Sequence, residues 1–218
     1  MKKIYIILFT LFALASCKPR LITQGIKDKT SNYVVTTDGK QIDVPSVIVN
    51  SNDVQAGAQS YPTTSLTAIK VGEAYYGVKN GNLYDGVYYG KIMLLRQYAG
   101  TLVTHSATNN TSTPVYNYFL QKQGQAEIVD LTGRNLVSYV KDDPIALRKA
   151  QASRIYSTVS TVSTFTFIAG LACVFLSDSN PLKRPAVTIG LFSIPVFLIT
   201  GPVGTHKKFK AIRVYNGY

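Results

Sequence analysis

Apolar positions along this chain follow three different rhythms, and each predicts a different kind of element. Residues 4–14 form one short unbroken apolar run behind Lys2 and Lys3. Residues 31–132 alternate between apolar and polar, with turn residues at intervals. Residues 144–204 carry two long, mostly uncharged stretches, Ser157–Leu176 and Ala186–Gly204, separated by Ser177–Pro185.

The alternating region predicts antiparallel strands. Tyr33–Thr37 and Lys40–Val44 flank Asp38-Gly39, and Glu73–Lys79 runs into Asn80-Gly81. Both dipeptides suit the positive backbone angles of a tight hairpin turn. Ser46–Asn50, Leu66–Val71, Val115–Lys122 and Ala126–Leu131 add further strands, the last two joined through Gly124. Val87–Tyr98 is the longest strand predicted, with Gly90 as a bulge. Thr101–Pro114, rich in Thr, Ser and Asn, reads as an exposed loop. The result is one small β domain over 31–142, of about seven or eight strands at the usual strand length. Tyr75, Tyr76, Tyr84, Tyr88, Tyr89, Tyr98, Tyr116 and Tyr118 gather in it. Cross-strand packing explains them better than a stacking platform for sugar rings.

Asp142-Asp143-Pro144 predicts a helix start. Asp143 caps, and Pro144 fits the first helical position because its missing N–H is not needed there. Acid/base chemistry is the weaker reading of this pair, since acidic residues favour helix N-termini. Residues 143–204 then read as a long helical hairpin with membrane-spanning character. Pro195 predicts a kink in its second arm. Ser157, Ser160, Thr161, Thr164, Ala169 and Gly170 are small enough to admit a partner helix, so 157–204 is expected to meet membrane or an integral membrane protein. Basic residues crowd the outer flanks of the hairpin, opposing the positive-inside tendency for an exported chain. Residues 205–218 read as a basic amphipathic tail, with Phe209, Ile212 and Tyr215 at helical spacing for anionic headgroups. The fold class is therefore α+β.

The N-terminal run is too short to span a bilayer and ends in small residues, as a secretory signal does. Leu14-Ala15-Ser16-Cys17 resembles the lipobox of bacterial lipoproteins. That resemblance implies a signal peptide over 1–16, acylation of Cys17 by diacylglycerol and a further chain such as palmitate, and a lipidated tether over 17–30. Two or more acyl chains anchor stably where one does not. Lys18, Pro19 and Arg20 bring no acidic run after the cysteine, which in that family implies the outer membrane, facing the periplasm.

The order Tyr33-Val34-Val35-Thr36…Asp38-Gly39-Lys40, Tyr61-Pro62…Ile69, Tyr89-Gly90-Lys91-Ile92, Tyr118-Phe119-Leu120-Gln121-Lys122 and Val140–Pro144 resembles a cell-envelope domain of the Bacteroidota. The resemblance spans roughly 31–147. It implies an address in the envelope and no reaction.

Charge and chemistry narrow the functions. The formal net charge is +12, and loss of Lys2 and Lys3 with the signal leaves 21 basic against 11 acidic residues. Export argues against nucleic acid as the partner of that charge, leaving headgroups or acidic glycans. With Cys17 acylated and Cys173 inside an apolar helix, no disulfide is expected. His105 and His206 stand alone, and Glu73 and Glu127 form no pair. No metal-ligand spacing, nucleophile elbow or phosphate loop occurs, and no cofactor is implied. Gly77, Gly81, Gly86 and Gly90 belong to hairpins. The expectation is a non-enzymatic adaptor or accessory subunit of a membrane complex. The alternatives are a lipoprotein binding cell-wall or acidic glycan, and an envelope enzyme without a recognisable motif.

Overall fold

The computed structural model describes residues 31–50, 52–105, 110–176 and 180–218. Cys17, the signal segment 1–16 and the tether 17–30 lie outside the described residues. The chain divides into two compact units. Of the described residues, one holds Thr132–Ala211, and the other joins 31–131 to Ile212–Tyr218.

The second of these is a β unit with eleven strands among the described residues. They are β1 Tyr33–Thr36, β2 Gln41–Asp43, β3 Val47–Val49, β4 Asp53–Ala56, β5 Gln59–Pro62, β6 Leu66–Val71, β7 Ala74–Lys79, β8 Asn82–Tyr88, β9 Ile92–His105, β10 Asn110–Lys122 and β11 Ile128–Asp130. Eight form one sheet in the order β11-β10-β9-β8-β7-β6-β1-β2, and β3-β4-β5 form a second. Every pairing is antiparallel. Both expected turns close their hairpins. Gly39 has φ 83°, and Asn80 and Gly81 have φ 53° and 78° between the paired residues Lys79 and Asn82.

Strand alternation sets the core. On β6, Ile69 joins Val34, Val54, Leu66 and Val78 in one cluster, which brings the small sheet against the large one. Its neighbour Ala68 joins Tyr75, Tyr84, Met93, Leu95 and Ile128 in a second cluster. Successive side chains of a strand point to opposite faces, so the two clusters occupy the two faces of the large sheet.

Three strand expectations are corrected. Val87–Tyr98 is not continuous, because the chain turns between Tyr88 and Ile92, and the bulge falls at Gly86/Tyr88. Gly90 serves a different purpose there: an added Cβ would lie 2.5 Å from Cγ of Asn216. That amide donates to the Ile92 carbonyl (2.8 Å) and accepts from the Ile92 N–H (3.0 Å). Thr101–Pro114 is not a loop up to its tip. β9 and β10 pair from His105/Asn110 down to Ile92/Lys122. Thr and Val suit strands, and the polar composition reflects an exposed arm, on which Leu102 is 60% exposed. Finally, β4 and β5 are strands that the alternation did not announce.

In the helical unit, Thr132 caps α1 (Gly133–Tyr139) by accepting from the Asn135 N–H at 3.1 Å. As expected, Asp143 caps α2 (Pro144–Leu176), accepting from the N–H groups of Ile145 and Ala146 at 2.9 Å each. α1 packs back on α2, with Gly133 so close that a Cβ would meet Cβ of Arg154 at 3.0 Å. α3 (Asn180–Asn216) stays helical through Pro195. It meets α2 through small residues. Added Cβ atoms on Gly204 and Gly201 would lie 3.2 and 3.4 Å from Oγ of Ser157 and Ser160.

Among the described residues no helix is long and apolar enough to cross a membrane. The spanning character expected of 143–204 is corrected to that extent. Among the described residues, the Ser/Thr-rich first half of α2 is the physical reason. Thr158, Thr161, Thr164 and Thr166 each return their hydroxyl to the carbonyl four residues earlier, which satisfies these groups without water. The tail is also corrected. It is the end of α3 rather than a separate helix, and Phe209, Ile212 and Tyr215 are buried in the protein instead of free to lie on headgroups.

Candidate functional site

The large sheet coils so strongly that strands far apart in its order face one another. Gln121 on β10 donates from Nε2 to the Thr67 carbonyl on β6 (3.4 Å) and to the Gln125 carbonyl (3.0 Å). Its Oε1 accepts from the Tyr75 hydroxyl on β7 at 3.0 Å. Gln121 is 1% exposed; its bonds to Thr67 and Tyr75 are buried, and the one to Gln125 is part-buried. Gly77 permits this seat, because a Cβ there would lie 3.1 Å from Gln121 Oε1 and 2.5 Å from Leu95.

Above this floor opens a cleft of about 340 Å³. Tyr33 and Gln41 line it from β1 and β2 at one sheet edge, and Gln123 and Gln125 from the turn after β10. Tyr89, just beyond β8, completes the wall. The hydroxyls of Tyr33 and Tyr89 share a hydrogen bond of 3.0 Å. The Tyr75 and Tyr89 rings meet at 5.5 Å and 60°. Burial pushes the Tyr33 and Tyr75 hydroxyls well above the usual phenol range, aided by the neighbouring Tyr89. Both are neutral hydrogen-bonding groups. Among the described residues, no Asp, Glu, Lys or Arg lines the cleft. The nearby Lys70 is 2% exposed and directs its ammonium to Ser31 Oγ (2.6 Å), the Ser31 carbonyl (3.1 Å) and the Gly72 carbonyl (3.0 Å).

The sequence-derived candidates do not converge elsewhere. His105 ends β9, and His206 is exposed on α3. Glu73 and Glu127 are both exposed, in different turns. Among the described residues no group of His, Cys, Asp or Glu is placed to hold a metal. Most tyrosines pack across strands as expected: Tyr84 meets Phe119 edge-on at 4.8 Å, and Tyr98 meets Tyr116 at 6.1 Å with Arg96 over the latter ring. Sequence reasoning missed Tyr33 and the glutamines. The alternate spacing of Gln121, Gln123 and Gln125 was the available signal.

The geometry defines an α+β protein with a coiled antiparallel sheet and an uncharged, tyrosine- and glutamine-lined cleft. The chain matches no family model, no curated protein and no solved structure.

The buried tyrosines set an alkaline limit. Below pH 10.0, the ordinary phenol value, folded and unfolded chains both hold these protons and stability is unaffected. Above it the unfolded chain ionises while folded Tyr33 and Tyr75 stay protonated. Stability is then expected to fall by about 1.4 kcal/mol per pH unit for each. Tyrosinate absorbance should lag in the native protein and jump on unfolding, as followed by circular dichroism. Full ionisation of all tyrosines with the fold intact would contradict this.

Proposed function

We propose that the protein is a non-enzymatic cell-envelope lipoprotein, acylated at Cys17 and facing the periplasm from the outer membrane, that serves as an adaptor or accessory subunit of a membrane complex. The main support is the exposed apolar surface of α2. Ile155, Val162, Phe165 and Ile168 are 64%, 59%, 68% and 55% exposed, and Val159 adds to them. At about 100° per residue these side chains cover about half of the helix circumference. A contiguous apolar surface of this kind marks a contact with protein or membrane.

Charge favours the same surroundings. From residue 144 to the C terminus there are nine basic residues and one acidic residue. Arg148, Lys149 and Arg154 precede the apolar part of α2, and Lys207, Lys208 and Lys210 follow that of α3. Anionic headgroups complement such flanks. Burial lowers the Lys208 ammonium from its usual range. The acyl chains and this surface would hold the β unit close to the membrane, a placement suited to assembly work.

The test is purification of the tagged protein from native membranes in mild detergent, with partners quantified by mass spectrometry. An integral membrane protein is expected at a fixed ratio. Val162→Glu, Phe165→Glu and Ile168→Glu together should abolish it while Cys17 acylation keeps the chain in the membrane fraction. Circular dichroism would verify that these exposed substitutions preserve the fold. Recovery of the wild-type chain alone, or retention of the partner by the triple variant, would refute the adaptor reading.

A further inference from the structure

We infer that the cleft bounded by Tyr33, Tyr89 and the Gln121–Gln125 segment is a binding site for a neutral, N-acetylated saccharide. This stands apart from the adaptor reading, because the cleft lies in the β unit and the exposed apolar surface lies on α2.

The volume of about 340 Å³ falls at the lower end of small-ligand sites. Its described lining favours an uncharged ligand. In a chain of net charge +12, not one of the described basic side chains lines the cleft. An anion would find no countercharge there, and a cation no carboxylate. What the cleft offers is hydrogen-bonding capacity without charge. Tyr33 and Tyr89 spend one bond on each other, and each hydroxyl keeps further capacity. Gln41 donates to Asp43 Oδ1 at 2.7 Å, which leaves its carbonyl oxygen to accept. Gln123 and Gln125 are exposed at the rim, and side-chain amides present donor and acceptor together. That pairing matches an acetamido group and adjacent hydroxyls.

Apolar surface is present as well. Val35, Ala68 and Met93 line the cleft beside the Tyr75 and Tyr89 rings. A pyranose ring has an apolar C–H face and a polar rim, and a tyrosine offers a flat apolar body with a polar tip. The floor is built for this purpose rather than loosely packed. Gln121 is fixed by three bonds, so the site is formed in the absence of ligand.

The experiment uses the full-length protein in mild detergent. The probes are a β-1,4-linked N-acetylglucosamine trimer, a uronate oligosaccharide of similar length and an N-acetylated tripeptide. Saturation-transfer NMR reports contact, and calorimetry reports affinity, at about 0.05 M and about 0.5 M salt, a range over which exposed charge attraction is screened. Transfer to the acetyl methyl and ring protons of the trimer is expected, with affinity unchanged by salt. Tyr89→Phe and Gln123→Ala should each weaken it about fivefold, the worth of one hydrogen bond. Gln123 is an exposed turn residue, so its substitution leaves the fold intact. No transfer at about 5 mM trimer, where even millimolar affinity would register, would overturn the proposal. So would preference for the uronate that vanishes at high salt, preference for the peptide, or trimer binding indifferent to both substitutions.

Discussion

Removing residues 212–218 is expected to destabilise the β unit by on the order of 5 kcal/mol, although no strand is touched. Ile212 is 0% exposed, and a fully buried side chain of this kind stabilises by roughly 2–3 kcal/mol. Tyr215 is also buried, with the Lys91 ammonium 5.6 Å from its ring centre. Asn216 satisfies both backbone groups of Ile92, and leaving such groups unpaired costs about 1–3 kcal/mol. The Tyr218 hydroxyl adds a bond of 2.5 Å to the Tyr89 carbonyl at the cleft wall. In a chain of this size, the melting temperature should fall by about 10–20 °C. Asn216→Ala alone should reproduce about 2 kcal/mol of the loss. Thermal and urea denaturation followed by circular dichroism would check both values. A deletion variant melting within a degree or two of the full chain would show that the tail contributes nothing to the unit. One consequence concerns fragments: residues 31–131 alone lack Ile212–Tyr218, which complete the same compact unit.

That tail marks the boundary between what local sequence specifies and what it does not. The helical spacing of Phe209, Ile212 and Tyr215 was legible. Which surface covers them was not, because Ile92 and Asn216 are 124 positions apart. The turns at Asp38-Gly39 and Asn80-Gly81 were legible, since the positive φ of Gly39, Asn80 and Gly81 is a local demand on residue type. So was the Asp143 cap, whose partners lie two and three residues on. β4 and β5 were hidden because Asp53–Ala56 and Gln59–Pro62 are only four residues each and half polar. Their pairing within a separate sheet gives them their identity. The Thr101–Pro114 arm shows composition misleading periodicity: Thr is polar, yet it is also a strand former.

The cleft was legible only as an inventory. Eight tyrosines stood out, but most are cross-strand packing. Of the pair at the rim only Tyr89 was among them; its partner Tyr33 was not, and the two meet across 56 positions. Gln121 reaches Thr67 across 54. Such meetings depend on how far the sheet coils, which no window of the sequence encodes.

That coil rests in part on one amide, and Gln121→Leu is expected to cost about 3 kcal/mol. The substitution nearly preserves volume, so the loss comes from polar groups rather than a cavity. The buried Tyr75 hydroxyl loses its acceptor, and the carbonyls of Thr67 and Gln125 lose their donor. Tyr75→Phe alone should cost about 1 kcal/mol, because it leaves only Gln121 Oε1 without that donor. The two effects should not add. Once Gln121 is gone, the Tyr75 hydroxyl is a buried group without this partner, and deleting it relieves part of the penalty. The double variant should therefore be more stable than the sum predicts by about 1 kcal/mol, as measured in urea denaturation. Strict additivity would mean that the two side chains are not coupled. A neutral or stabilising Gln121→Leu would mean that the amide does not hold β10 to β6, and the floor of the cleft would need another explanation.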